Sequence, residues 1–259
     1  MKGNHGGYDY WMAKISVGAI GVFRPGATNG KFILDQNRSR ILDSDDPAFD
    51  IGLKTDKPVI GDWNGDAKWE VGVFRPTNHK FYLDTNANRA LSSSDASFSY
   101  GLSTDLPVAG DWNGDAKWEV GVFRSTEKKF YLDTNANRAL STSDASFSYG
   151  LSTDLPVAGD WNGDAKWEVG VFRPTEHKFY LDTNGDRALS TSDASFSYGL
   201  STDLPVTGDW NGDGKDEAGV FTPSTHTFYL DYDNNRALNS DEVSFSFGAT
   251  GDRPIAGRW

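Results

Sequence analysis

Oxygen-bearing side chains recur at alternate positions in one short segment of the chain. In its most regular copy, Asp209, Asn211, Asp213 and Glu217 stand at positions 1, 3, 5 and 9, and Lys215 offers a backbone carbonyl at position 7. Calcium takes about six to eight oxygen ligands, and a tight loop that wraps around the ion presents alternate residues to it. The spacing therefore predicts a calcium-binding loop.

Three further copies keep the ligand types and the spacing but have Ala instead of Gly at position 6. They are Asp62, Asn64, Asp66, Lys68 and Glu70; Asp111, Asn113, Asp115, Lys117 and Glu119; and Asp160, Asn162, Asp164, Lys166 and Glu168. Ala lacks the backbone freedom of Gly, so strain or weaker binding is expected there. The alternative is a row of solvated β-turns. Because Arg258 stands where a fifth copy would have its first Asp, we expect about four calcium ions.

A second acidic segment lies further along each copy. The two most acidic versions place oxygens at early odd positions and again at position 12: Asp182, Asn184, Asp186 and Asp193, then Asp231, Asp233, Asn235 and Glu242. Their position 6 is Arg187 or Arg236, where the EF-hand calcium loop has Gly for its sharp turn. These segments are candidate second metal loops, and Asx-rich loops held by their own side-chain hydrogen bonds are the alternative.

Three tryptophans, Trp69, Trp118 and Trp167, each precede the last predicted ligand of a calcium loop. Flat aromatic faces suit sugar rings, so these side chains are candidates for stacking on a ligand. The alternative is that they pack on a neighbouring repeat. Asp216 replaces the tryptophan in the last full copy.

All of these residues lie in tandem repeats. The tripeptide Gly-Asp-Trp, or in the last case Gly-Arg-Trp, recurs every 49 residues, at Gly61, Gly110, Gly159, Gly208 and Gly257. One repeat length contains four short segments rich in β-branched and aromatic residues: Leu106–Trp112, Glu119–Arg124, Lys129–Asp133 and Ser146–Leu151. No apolar pattern has a helical period. Four strands in a unit of this length are typical of a β-propeller blade.

The two ends of the chain complement each other. The first repeat has counterparts of the second, third and fourth strands, Gly21–Arg24, Lys31–Asp35 and Phe49–Leu53, whereas Pro254–Trp259 matches a first strand and then stops. We therefore expect an all-β, five-bladed β-propeller of four-stranded antiparallel blades, in which the C-terminal strand completes the N-terminal blade.

This propeller is expected to be one domain spanning residues 1–259. Its repeats are 12–60 plus 254–259, 61–109, 110–158, 159–207 and 208–253. One tryptophan per blade is expected to pack between blades, namely Trp63, Trp112, Trp161, Trp210 and Trp259.

The segment Pro205–Phe221, and its counterparts in the other repeats, resembles the FG-GAP repeat. FG-GAP repeats are the calcium-binding blades of integrin-α-type propellers and of many bacterial and archaeal surface proteins. The resemblance implies calcium at the positions named above, but integrin propellers have seven blades and this chain has five repeats. It implies no particular partner, because family members serve adhesion, lectin and scaffold roles.

Composition excludes several classes of function. The chain has 259 residues, no cysteine and a net charge of −12, so it is a poor partner for nucleic acid or anionic lipid. No apolar run is long enough to cross a membrane, and the polar, Gly-rich segment 1–10 has no signal peptide, as in a fragment of a longer protein. No pairing of a nucleophile with a base, phosphate loop or zinc motif is present, so we expect no enzyme.

The remaining classes are binding and structural proteins. We expect an extracellular or cell-surface binding module, monomeric, that recognises a glycan or a cell-surface protein. The alternative is a spacer domain of a larger surface protein, in which calcium serves only stability. Extracellular calcium modules often bind the ion at about 10⁻⁴–10⁻³ M, and such concentrations occur outside cells.

Overall fold

Five antiparallel sheets make up the computed structural model, which describes residues 17–240 and 242–259. Residues 1–16, including the beginning of the predicted first repeat, and Asp241 lie outside the described residues. Twenty strands occur in these ranges and no helix does. The five sheets have four strands each, so the predicted five-bladed propeller is confirmed.

The blades are numbered here in chain order, each from its innermost strand outward. Blade 1 contains β20 (Arg253–Gly257), β1 (Ala19–Pro25), β2 (Asn29–Leu34) and β3 (Ala48–Leu53). Blade 2 contains β4 (Lys57–Gly61), β5 (Glu70–Arg75), β6 (Lys80–Leu83) and β7 (Ala96–Ser99). Blade 3 contains β8 (Leu106–Gly110), β9 (Glu119–Arg124), β10 (Lys129–Leu132) and β11 (Ala145–Ser148). Blade 4 contains β12 (Leu155–Gly159), β13 (Glu168–Arg173), β14 (Lys178–Leu181) and β15 (Ala194–Ser197). Blade 5 contains β16 (Leu204–Gly208), β17 (Glu217–Thr222), β18 (Thr227–Leu230) and β19 (Val243–Ser246).

Burial along the strands follows their place in the blade. The second strands, such as β9, are buried at nearly every residue, because both of their faces meet other blades. The third strands, such as β10, alternate between buried and half-buried residues, as the two-residue period of a strand requires. The outermost strands are four to six residues long and largely exposed on one face.

The outermost strand of blade 3 is shorter than the sequence predicts. It ends at Ser148 instead of Leu151, because Gly150 adopts a positive φ of 79° that turns the chain towards blade 4. A side chain at Gly150 would also meet the carboxylate of Asp154 at 2.9 Å. Glycine is therefore required at this turn both by its backbone angle and by the close approach.

Blade 1 joins strands from opposite ends of the described chain, as predicted. Strand β20 pairs antiparallel with β1, with Ala19 facing Gly257 and Phe23 facing Arg253. Beyond the end of this ladder, Arg24 donates from Nε and Nη2 to the two carboxylate oxygens of Asp252, each at 2.8 Å. This bidentate ion pair fixes the closing strand in its register.

An equivalent Arg–Asp ion pair lies within three other blades, and in blade 5 a threonine hydroxyl donates to the aspartate instead. The pairs are Arg75–Asp56, Arg124–Asp105 and Arg173–Asp154, with Thr222 donating to Asp203 in blade 5. In every case the aspartate also accepts a backbone N–H in the turn that enters the blade, for example that of Leu102 for Asp105.

Each of the five repeated tryptophans packs between two blades, which confirms that prediction. Trp63 of blade 2 lies in one buried cluster with Val120 and Val122 of blade 3. Trp112, Trp161 and Trp210 do the same at the next three boundaries, and the half-buried Trp259 packs against the cluster that spans blades 1 and 2. These contacts close the ring around a central axis.

Antiparallel connectivity brings two sets of loops to one face of the propeller, which we call the loop face. The inner loops join the first and second strands of a blade: 62–70, 111–119, 160–168 and 209–217. The outer loops join the third and fourth strands: 35–46, 84–95, 133–144, 182–193 and 231–242. The predicted metal ligands therefore all lie on this face.

Candidate metal loops and inter-blade clefts

The first aspartate of each inner loop organises the turn. In blade 2, Asp62 Oδ1 accepts the backbone N–H groups of Gly65 at 2.6 Å and Asp66 at 3.1 Å, and Oδ2 accepts that of Ala67 at 2.8 Å. These bonds draw the backbone into a curl around one carboxylate. The loop therefore has the wrapped shape that the alternate spacing predicts.

The last ligand of the inner loop closes the curl from the next strand. Glu70 accepts the backbone N–H of Trp63 and the side-chain amide of Asn64, both at 3.1 Å. Carboxylate oxygens of Asp62, Asp66 and Glu70 all lie within 4.8 Å of one another. Three carboxylates this close form a donor set that suits a hard, oxygen-preferring cation.

The inner loops of blades 3 and 4 have the same pattern of hydrogen bonds, and in blade 5 Asp209 accepts the N–H groups of Gly212 and Gly214. In blade 5, Asp209, Asp213 and Glu217 also come within 4.8 Å, whereas the corresponding carboxylates of blades 3 and 4 do not reach this distance among the described residues. Position 6 adopts a positive φ in all four loops, at Ala67, Ala116, Ala165 and Gly214. Alanine thus takes the conformation expected of glycine, at a cost of about 1–2 kcal/mol per residue.

Burial and neighbouring charge act on the closing glutamates. Burial, together with the nearby aspartates, raises the pKa of Glu70 to about 7. The same causes raise the pKa values of Glu119, Glu168 and Glu217 to about 8. An ion that neutralises the cluster would relieve this repulsion.

The outer loops form a second ring of curled turns. In blade 3, Asp133 accepts the backbone N–H groups of Asn137 at 3.1 Å and Arg138 at 2.8 Å. Arg138 adopts a positive φ of 61°, so arginine takes the conformation for which an EF-hand loop uses glycine. Arg187 and Arg236, which stand where an EF-hand loop has Gly, both adopt a positive φ of 63°, so arginine does not prevent the turn.

The arginine at this position makes a contact that the sequence did not indicate. The guanidinium carbon of Arg138 lies 5.6 Å from the ring centre of Phe98 in the preceding blade. The same cation–π contact occurs at all five blade boundaries: Arg40–Phe245, Arg89–Phe49, Arg138–Phe98, Arg187–Phe147 and Arg236–Phe196. This ring of arginines ties each outer loop to its neighbour.

A ring of backbone hydrogen bonds joins the inner loops. The N–H of Trp118 donates to the carbonyl of Asp62 in the preceding blade at 3.0 Å. Equivalent bonds occur at the other four boundaries: Trp69 to Arg258, Trp167 to Asp111, Asp216 to Asp160 and Gly18 to Asp209. The tryptophan position therefore serves inter-blade docking in addition to any role in ligand binding.

The three tryptophan side chains predicted to stack on a ligand meet near the propeller axis. The ring centres of Trp118 lie 4.3 Å from Trp69 and 4.0 Å from Trp167. They border a central channel, lined by the innermost strands, that holds a cavity of about 170 Å³. All three are half-buried, so part of each indole remains accessible from the loop face.

In blades 1 and 5, charged side chains occupy positions that differ from those of the other inner loops. Asp216, in place of the tryptophan, accepts the backbone N–H of Asp160 at 2.8 Å, and its burial raises its pKa to about 7. Arg258 reaches Asp209 at 3.4 Å and lies over the Trp69 ring at 5.6 Å. Blade 1 thus has a cation where the other inner loops have their first carboxylate.

A cleft opens between adjacent blades on the loop face. Between blades 2 and 3 it has a volume of about 310 Å³ and is lined by Trp63 and Phe98 on one side and by Lys117, Trp118 and Arg138 on the other. Glu119 and Asp133, from the two loops of blade 3, also line it. The cleft therefore combines aromatic surface with groups of both charges.

Similar clefts lie at other boundaries. The cleft between blades 1 and 2 holds about 280 Å³ and that between blades 3 and 4 about 240 Å³, with equivalent lining residues. The cleft between blades 5 and 1 is much smaller, at about 50 Å³, and Val17 and Gly18 take the places of lysine and tryptophan.

Comparison with known proteins leaves the family of this chain open. No protein-family model matches the sequence, and no curated protein does. Among solved structures, an Agrocybe aegerita lectin that recognises non-reducing terminal N-acetylglucosamine aligns with a TM-score of 0.45 and 14% identity, over 92% of this chain and 62% of the lectin. The V. cholerae biofilm matrix protein Bap1 aligns with a TM-score of 0.33 and 15% identity, over 90% of this chain and 40% of Bap1. The chain thus spans less than two thirds of the length of each.

Among the described residues, no helix is long and apolar enough to cross a membrane.

Proposed function

We propose that this chain is a calcium-binding, extracellular propeller module that recognises carbohydrate in the clefts between its blades. The single observation that carries the proposal is the recurrence of one cleft, with an aromatic pair and the same charged side chains, at three successive blade boundaries. Because the repeats are nearly identical in sequence, the same aromatic and charged groups are presented several times on one face.

Calcium fits the inner loops by the chemistry of their donors. Asp62, Asp66 and Glu70 supply carboxylates, Asn64 an amide oxygen and Lys68 a backbone carbonyl. The corresponding residues of the other three inner loops would hold an ion in the same way, giving about four ions per chain. A bound ion supplies a fixed positive charge beside each cleft, because Glu70 and its counterparts line the clefts.

The cleft chemistry favours a polar ligand with an apolar face. The half-buried indole of Trp118 offers apolar surface, and Lys117, Arg138 and Glu119 offer hydrogen-bond donors and acceptors close by. Binding sites for small molecules commonly combine a mainly apolar lining with a few placed polar groups. A pyranose ring has this combination in its C–H faces and hydroxyl groups.

Several equivalent clefts on one face would act together. When two or more clefts engage a branched glycan or a glycan-coated surface, the second binding event becomes effectively intramolecular and affinity rises without new contacts. This property suits adhesion, in which single contacts are weak. We place the function among binding proteins and propose no catalytic role.

A glycan array probed with the full chain, with calcium and after calcium depletion, tests the proposal. We expect selective binding that weakens on calcium depletion. Replacing the cleft lysines by alanine, at Lys68, Lys117 and Lys166, should lower the affinity measured by calorimetry for an array hit. Lys54→Ala is the matched control, because Lys54 is exposed in the β3–β4 connection on the opposite face.

A second candidate function is a spacer domain. It is favoured by the mutual packing of Trp69, Trp118 and Trp167 and by the two inter-blade rings, all of which serve stability. Absence of binding to every glycan on the array, with calcium present and the fold intact by circular dichroism, would refute carbohydrate recognition and leave the spacer.

A further inference from the structure

The outer loops of blades 4 and 5 each bring three carboxylates within 4.8 Å of one another, which the other outer loops of the described residues do not. In blade 4, oxygens of Asp182, Asp186 and Asp193 lie within 4.8 Å of one another. No lysine or arginine pairs with these carboxylates among the ion pairs of the described residues, and the guanidinium of Arg187 lies instead over a phenylalanine ring. Three acidic groups are thus gathered without a countercharge.

A buried hydroxyl faces this cluster from the neighbouring blade. Tyr149 of blade 3 is 1% exposed, and its hydroxyl has no hydrogen-bond partner. Tyr198, the counterpart of Tyr149 one repeat later, donates to Glu242, the counterpart of Asp193, so the phenol of Tyr149 faces the Asp193 end of the cluster. Burial, and then the charges of Asp193, Asp182 and Asp186, raise the pKa of Tyr149. Asp193 Oδ1 is also buried without a partner. Unpartnered buried polar atoms are uncommon in folded proteins, and a ligand that satisfies them is one explanation.

The outer loop of blade 5 repeats the arrangement. Asp231, Asp233 and Glu242 have oxygens within 4.8 Å of one another. Asp231 is 1% exposed and its Oδ1 has no partner, nor has Glu242 Oε1. Here the tyrosine from the preceding blade, Tyr198, donates to Glu242 Oε2 at a long 3.3 Å.

The remaining outer loops act as internal controls within the same chain. In blade 2 the loop has Asn88 where blade 4 has Asp186, and the residue facing it from blade 1 is Ile51 instead of a tyrosine. In blade 1 the loop has Ser39 at that position and the facing residue is Phe247. The loop of blade 3 faces Tyr100 of blade 2, whose buried hydroxyl also has no partner, but it holds only two carboxylates, Asp133 and Asp144. The third carboxylate and the hydroxyl thus occur together only in blades 4 and 5.

We propose that the outer loops of blades 4 and 5 each bind one divalent, oxygen-preferring cation of the calcium type. The three carboxylates supply the charge, and the tyrosine hydroxyl of the preceding blade closes the site, either on the ion or through a water bound to it. Because the site uses residues of two blades, a bound ion would link blade 3 to blade 4 and blade 4 to blade 5. These sites use other residues than the inner loops.

Counting bound calcium by equilibrium dialysis of the full chain tests the inference. Asp186→Asn and Asp233→Asn place in each loop the residue that other repeats have at the same position, so both variants should fold. Each is expected to lose one bound ion per chain, and the double variant two. The matched control is Asp95→Asn in blade 2, whose loop has two carboxylates and no facing tyrosine, and it should lose none.

A second readout uses terbium, which replaces calcium and emits when a nearby aromatic ring is excited. Tyr149→Phe and Tyr198→Phe should each weaken emission at saturating terbium. If Asp186→Asn and Asp233→Asn both bind as many calcium ions per chain as the unmodified protein, the proposal is overturned, however many ions that is. Equal retention of magnesium would overturn the calcium-type assignment, because magnesium prefers a smaller, octahedral site. Loss of ions only in inner-loop variants such as Glu70→Gln would support the inner loops and refute the outer ones.

Discussion

Calcium should stabilise this propeller more at high pH than at low pH, because the inner loops bury acidic groups close together. Without metal, the pKa of Glu70 rises to about 7, and those of Glu119, Glu168 and Glu217 rise to about 8. The unfolded chain would release these protons near the ordinary value of 4.5. Between these values the folded state binds more protons, so the metal-free protein loses stability as pH rises from about 4.5 to about 8.

The opposite dependence applies to calcium binding. Calcium requires ionised carboxylates, so protons compete with it at about pH 5.5 and hardly at about pH 8.5. With dissociation constants of about 10⁻⁴–10⁻³ M and about 10 mM calcium, each loop would contribute about 1.4–2.7 kcal/mol, or about 6–11 kcal/mol for four independent loops. For a domain of this size, about 1 kcal/mol shifts the melting temperature by about 2–4 °C, so the full shift should exceed about 10 °C.

Thermal unfolding followed by circular dichroism measures this directly. Melts are compared in calcium-depleted buffer and in about 10 mM calcium chloride, at the two pH values, with magnesium chloride as the ionic-strength control. Resin-treated buffer is preferable to a chelator, because common chelators lose calcium affinity in acid. Glu119→Gln should raise the metal-free midpoint at high pH and reduce the calcium-induced shift. Identical midpoints with and without calcium at about pH 8.5, or a larger shift at about pH 5.5, would refute the reasoning.

Three further predictions concern the ring itself. Trp210→Ala should cost about 3–5 kcal/mol in denaturant unfolding because the side chain is fully buried, whereas Trp259→Ala, at a half-buried site, should cost clearly less; equal costs would contradict the packing argument. Asp252→Ala removes the bidentate pair with Arg24 and should cost about 2–3 kcal/mol and speed proteolysis within blade 1; unchanged digestion would argue against its role in closure. Arg138→Ala and Arg138→Gly both remove a cation–π contact, but only glycine adopts the positive φ without strain. The free energy of unfolding should therefore be about 1 kcal/mol higher for the glycine variant than for the alanine variant, and the reverse order would refute the left-handed conformation.

The fold was predictable because the sequence consists of tandem repeats of one length. A 49-residue period with four short apolar segments leaves few architectures, and the complementary ends of the chain indicate how the ring closes. The second strand, Glu119–Arg124, was located to the residue because it begins and ends at charged side chains. The first and third strands end at Gly110 and Leu132, before the predicted Trp112 and Asp133, because these residues already belong to the loops. The fourth strand also ends early, because the chain turns at Gly150.

The contacts that join the blades could not be predicted from one repeat read alone. The arginine of each outer loop seemed unsuited to a tight turn, since nothing in its own loop explains it. In blades 2 to 5 its partner is a phenylalanine about 40 residues earlier, on the outer strand of the preceding blade, as Phe98 is for Arg138, and in blade 1 it is Phe245 near the other end of the chain. The hydroxyl of Tyr149 likewise meets acidic residues of the next blade. Such pairings become visible only when the ring has placed the repeats side by side.

The register of the closing strand also determines how the propeller would respond to tension. Ala19 and Gly257 are paired at the same end of the β1–β20 ladder, so chain segments before the one and after the other leave the ring together. A force pulling these two segments apart would break the hydrogen-bonded pairs of the ladder one after another. It would not load all pairs at once, as a shearing force does. The Arg24–Asp252 pair lies at the far end and would bear load last. A propeller held by these segments would therefore open first at the β1–β20 ladder.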